Sequence, residues 1–173
     1  MITFYLISLA AFLIYHLVVI GKFGVPKSVS ETFYLWGKPG QAIVTLWSWI
    51  VAIPLMIFGS GISPENAVFS IFFCGVFLVG VFTAAPFKYD FIAKYHFAFA
   101  GICAGLAFLW IFLVIPSMWW IIPTLAVPFL ILGFLIPGNT AEGKSKNSVT
   151  FWLEEVAFVS LYVSMFLYYL QCC

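Results

Sequence analysis

Arginine is absent from this 173-residue chain, and charge of either sign is scarce: seven lysines, six acids and two histidines, with 8% of residues charged. Soluble domains carry about 25% charged residues. Too few polar side chains are present to cover a globule, so lipid has to solvate most of the surface. Without arginine the usual bidentate reader of phosphate is missing. Together with a net charge of +1, this argues against a nucleic-acid partner. The four cysteines include no C-x-x-C, only the terminal pair Cys172-Cys173, so the common zinc and redox motifs are missing. Cys74 and Cys103 are expected in adjacent helices at depths about 8 Å apart, from 1.5 Å of rise per residue, too far for a disulfide. No N-x-[ST] acceptor occurs, and Met1-Ile2-Thr3 starts no basic n-region, so a cleaved signal peptide is not expected.

What the chain has is apolar sequence, 65% of its residues. It falls into runs of about 20 residues, the length that spans a bilayer. They cover residues 2–21, 40–62, 67–86, 96–115, 118–137 and 149–170. The pattern predicts an all-α fold, a single transmembrane domain over residues 1–173. Its architecture is a polytopic integral membrane bundle of six transmembrane helices. The short alternating segments of a β-barrel are absent. In the first connection, Ser28-Val29-Ser30-Glu31 fits a capping box, with Glu31 reaching back to the cap. Phe33, Tyr34, Leu35 and Trp36 follow, and Gly37-Lys38-Pro39-Gly40 is a stop signal. This predicts a short interfacial helix in the first cytoplasmic loop. Pro54, Pro123 and Pro128 fall inside runs and are read as shaping kinks.

All seven lysines sit in three connections: Lys22, Lys27 and Lys38, then Lys88 and Lys94, then Lys144 and Lys146. These follow the first, third and fifth runs. Short basic loops stay in the cytoplasm, so both termini are expected outside, in a multi-pass protein of a bacterial inner membrane. The stretch 87–96 reads as a cytoplasmic corner between two spans.

Charges inside a membrane helix are expensive and usually face a cavity or a partner. Glu154 shares a helical arc with Thr150, Ala157, Ser164 and Tyr168, which turns it into the bundle. Glu155 points about 100° away and is read as reaching the interface. Trp152, Val156, Val163, Leu167 and Leu170 form the lipid-like face of that run. His96 heads a stripe with Ala100, Cys103 and Ala107, continued by Gly101-x-x-x-Gly105 and Ala104. Small residues allow close helix approach, so the fourth run is expected at the centre, with Phe99, Ile102, Leu106, Leu109 and Trp110 on a bulky face. His16 lies at a matching depth on the first run. The expected pocket, in the cytoplasmic leaflet, therefore gathers His16, Ser28, Ser30, Glu31, Asp90, His96 and Glu154, with His96 and Glu154 paired at its centre. No H-x-x-x-H or H-E-x-x-H spacing occurs, so neither a metal nor a cofactor is expected.

At residues 25–34 (Val-Pro-Lys-Ser-Val-Ser-Glu-Thr-Phe-Tyr) the chain resembles small membrane proteins of gut anaerobic bacteria and their phages, a group to which no activity is assigned. Ala84-Ala85-Pro86-Phe87-Lys88 with His96, and Trp152-Leu153-Glu154 with Ala157-Phe158, extend the likeness. A fainter likeness is to membrane hydrolases of the alkaline ceramidase type, which gather Ser, Asp and His around zinc. It implies such roles for Ser30, Asp90 and His96. The pattern's H-x-x-x-H pair and seventh helix have no match here. Three functions follow as expectations. The first is a transporter-like protein that binds or passes a small solute, ion or lipid headgroup. The second is a membrane-embedded lipid hydrolase, and the third a non-catalytic membrane partner or assembly protein. Whether the chain is an enzyme, and whether it forms a homo-oligomer, stay open at this point.

Overall fold

The computed structural model describes residues 1–37, 39–84 and 90–172, with the side chains of 41, 82–84, 90–97 and 172 outside that description. Long helices follow the apolar runs: α1 (Ile2–Phe23), α3 (Gly40–Ile62), α4 (Ala67–Ala84), α5 (Asp90–Val114), α6 (Ile121–Leu135) and α7 (Val149–Cys172). A single turn, α2 (Thr32–Leu35), lies between α1 and α3. Among the described residues, five helices are long and apolar enough to cross a membrane. The described apolar part of α5, Ala98–Val114, is shorter. Two boundaries differ from the sequence reading. Helix α5 begins at Asp90, so residues 90–96 of the expected corner 87–96 are helical. Pro123 falls in the first turn of α6, where the missing N–H has no helical partner to lose. The loop after α6 carries a minimal hairpin, β1 (Asn139–Thr140) against β2 (Gly143–Lys144).

Neighbouring helices pack in the order α1, α3, α4, α5, α7, with α6 lying on α7. Side chains close the ring between α1 and α7. One face of α1 is buried through Tyr5, Ser8, Phe12, Tyr15, His16 and Val19, the i, i+3, i+4, i+7 spacing of a helix stripe. Its opposite face, with Leu6, Ile14 and Leu17, is exposed, as a lipid-facing surface is. The Ser8 hydroxyl donates to the Val51 carbonyl at 2.6 Å and lies 2.5 Å from the Tyr162 hydroxyl. Ser8 has only one hydrogen to give, so Tyr162 is the donor to it. Tyr5 in turn donates to the Tyr162 carbonyl at 3.1 Å. Three helices are thus tied by hydroxyls that would be costly to bury alone.

Helices α7 and α3 are the most buried of the spans, at 50% and 44% of their windows, against 17% for α4 and α6. Val156, expected toward lipid, is buried, because α6 covers that side. At Gly133 of α6 an added Cβ would come within 2.9 Å of the Val149 Cα and 3.4 Å of Trp152. The glycine therefore sets how closely α6 and α7 approach. The reverse holds at Gly101 and Gly105. Both are exposed, with nothing within 4 Å of an added Cβ among the described residues, so this pair mediates no packing there. Trp110, placed on the bulky face, is fully buried.

Candidate functional site

The segment between α1 and α3 does not lie flat on a surface. Pro26, Ser28, Ser30, Glu31, Thr32 and Phe33 are all buried. Gly24, at φ +74°, turns the chain after α1, and an added Cβ there would collide with the Asn139 amide. Asn139 holds the turn from the far end of the sequence. Its side chain donates to the Phe23 carbonyl at 2.7 Å, its N–H to the Val25 carbonyl, and its carbonyl accepts from Lys27 N–H. Lys22 caps the other side, with its ammonium 4.5 Å from the Trp36 ring centre, a cation–π contact. Half of the expected capping box forms: Glu31 N–H donates to the Ser28 hydroxyl at 3.2 Å. Glu31 Oε1 also reaches the second loop, where it accepts from Ala141 N–H at 3.0 Å. The two lysine-bearing connections, 22–37 and 138–148, are thereby folded against each other.

Glu154 joins this segment to α7. Its Oε2 accepts from Val29 N–H at 2.6 Å. Val29 is also held through its carbonyl, which accepts from the Thr32 hydroxyl at 2.6 Å, and Thr32 accepts from Tyr15 at 2.6 Å. The backbone at Val29 is therefore fixed on both sides, and with it the position of the Glu154 carboxylate. No described residue partners the second oxygen, Oε1.

Glu154 stands at one end of a cavity of about 140 Å³ lined by α3, α4, α5, α7 and residues 29–33. Small side chains leave the space: Ala52 on α3, Gly80 on α4, Ala100, Cys103, Ala104 and Ala107 on α5, Ala157 on α7. Phe33, Trp47, Phe73, Phe77, Trp110 and Phe158 supply aromatic wall. The stripe read as a close-packing face of α5 thus lines a void. Val29 and Ser30 lie beside Glu154, and at the other end Trp110 Nε1 donates to the Ser70 hydroxyl at 2.9 Å. Trp47 Nε1 on the wall is buried without a partner. Among the described lining residues, Glu154 alone carries a charge.

No protein family, curated protein or solved structure matches this chain. The site stands on its own geometry.

The expected residues separate into distinct groups. Glu154 and Ser30 share the cavity. Ser28 lies behind Ser30, the two hydroxyls 3.0 Å apart. Glu31 belongs to the outer groove with Lys27, Thr140 and Lys144. The side chains of Asp90 and His96 are outside the described residues, so the expected pairing of His96 with Glu154 lies there too. His16 is not in the cavity. Its Nε2 lies 2.9 Å from Glu155 Oε1, the side chains 9% and 6% exposed. Glu155, expected at the interface, is therefore a buried partner instead. The His16 Nδ1 donates to the Phe12 carbonyl at 2.8 Å, which fixes the ring and turns Nε2 toward the acid. Neither Nε2 nor Oε1 makes a well-aligned hydrogen bond, so the two meet as a close polar contact between buried side chains. Phe12, Tyr15 and Trp47 surround the imidazole at ring distances of 4.3, 5.6 and 5.6 Å. This pair is a bolt between α1 and α7. Among the described residues no cluster of three His, Cys, Asp or Glu stands ready for a metal.

Proposed function

We propose that this chain is a six-span protein of a bacterial inner membrane, with α5 as the sixth span and both termini outside, which binds a small amphiphile within the bundle. The confinement of lysines to three connections supports the orientation. The docking of connection 22–37 on 138–148 agrees with their lying on one side. The observation that carries the binding reading is the Glu154 carboxylate at the end of an apolar cavity, one oxygen anchored and the other without a described partner. Ligand sites combine an apolar wall with a few placed polar groups, and a void of about 150 Å³ lined by apolar side chains takes up a benzene-sized molecule. The bound species has an apolar body about the size of one ring and a polar head at Glu154. Of the three expected functions, this narrows the first. The hydrolase reading draws on Asp90 and His96.

Tryptophan fluorescence tests it, since Trp47 and Trp110 line the cavity. Bromobenzene quenches tryptophan by heavy-atom contact. In lipid nanodiscs the wild type should show a saturable quenching phase that Ala104→Phe, which fills the space, removes. Identical, non-saturating quenching of both proteins would refute binding inside the bundle.

A further inference from the structure

The polar end of the cavity also speaks to the charge of what it takes. We propose that the ligand is a lipophilic organic cation, an amine carried on an apolar or aromatic body, held by Glu154 and the aromatic wall. This rests on the cavity reading above and adds the sign of the charge. The argument begins with charge balance. Glu154 is the one charged group on the described lining, and neither lysine nor histidine joins it there. The nearest described imidazole, His16, is committed to Glu155, so it does not neutralise Glu154. The anchored oxygen receives one neutral backbone donor, Val29 N–H at 2.6 Å. The other has no described donor, and Glu154 is part of the cavity lining. A carboxylate left in that state in an apolar setting is costly, and a cationic head supplies both the missing charge and the missing donor.

The wall agrees with this. Phe33, Trp47, Phe73, Phe77, Trp110 and Phe158 present aromatic rings to the space. Aromatic faces attract cations, the more so away from water. They repel anions by the same quadrupole. A phosphate or carboxylate head would meet an acid with no described cation to offset it. A neutral ligand would fill the space without favouring the ionised form of Glu154.

The test uses three probes of one shape: benzylamine, which is a cation at neutral pH, benzyl alcohol, which is neutral, and benzoate, an anion. Binding to purified protein in nanodiscs is followed by calorimetry, with empty nanodiscs as the partition control. Benzylamine should bind about ten- to a hundredfold more tightly than benzyl alcohol, the range expected of one charged hydrogen bond, and benzoate should not bind. Glu154→Gln keeps a carbonyl acceptor for Val29 N–H while removing the charge. In that variant benzylamine and the alcohol should bind alike. Ala104→Phe, with Glu154 intact, should abolish both. Equal binding of amine and alcohol in wild type and in Glu154→Gln would overturn the cation preference and leave the cavity reading standing. No saturable binding of any probe would overturn both.

Discussion

Substituting leucine for His16, for Glu155 and for both together separates a buried ion pair from a decorative one. The groups are 2.9 Å apart and their side chains are almost sealed from solvent. Removing one partner of such a pair costs about 3–5 kcal/mol, because the other is left uncompensated in a medium of low polarity. Removing both leaves no orphan, and packed apolar side chains in place of a buried pair are often neutral or better. Phe12, Tyr15, Trp47 and Phe151 already ring the imidazole, so leucine finds apolar neighbours there. The double variant should therefore be more stable than the sum of the single losses predicts, by about 3 kcal/mol. Unfolding in mixed micelles of increasing sodium dodecyl sulfate fraction, followed by tryptophan fluorescence, measures all four proteins. Single losses below about 1 kcal/mol that simply add would match a solvated pair. That result would refute the placement of Glu155 between α1 and α7.

The other expectations are more local. Gly101→Leu and Gly105→Leu should leave unfolding within about 0.5 kcal/mol of wild type, as at any open surface. Gly133→Leu should cost about 1–3 kcal/mol by overpacking against Val149 and Trp152. Trp110→Ala removes a fully buried indole and its bond to Ser70, so the same titration should register a loss of about 3–5 kcal/mol. For topology, an impermeant thiol reagent on spheroplasts should label Cys172 and Cys173 and spare a cysteine placed at Lys144. The reverse pattern would invert the orientation.

The existence of the long helices was legible because twenty apolar residues in a row carry a strong signal that needs no tertiary context. Which way each helix faces was not, since a helix apolar all round has no obvious inner stripe. Gly101 and Gly105 illustrate this. They share a spacing with close-packed helices, yet the alanines of the neighbouring arc face the interior and the glycines face outward. Glu154 and Glu155 illustrate it again. The arc argument turns one inward and so sends the other out, but α7 has neighbours on several sides, so Glu154 lines the cavity while Glu155 is buried against α1. A usable signal existed for His16 and Glu155. His16 lies 23 − 16 = 7 residues before the end of α1, and Glu155 lies 155 − 149 = 6 after the start of α7. On antiparallel helices these are matching depths of about 10 Å. The folding of residues 24–36 was hidden for another reason. It depends on Asn139, Ala141 and Glu154, more than a hundred residues away, and no local pattern announces such partners.

Crystals soaked with 4-bromobenzyl alcohol and measured at the bromine absorption edge examine the cavity most directly. The ring should lie between Trp47, Phe77 and Ala104, with the bromine toward Ser70 and the hydroxyl directed at Glu154 Oε1. Bromine found only on the outer faces of the helices, with the space between α3, α4, α5 and α7 closed by its own side chains, would contradict a binding site inside the bundle.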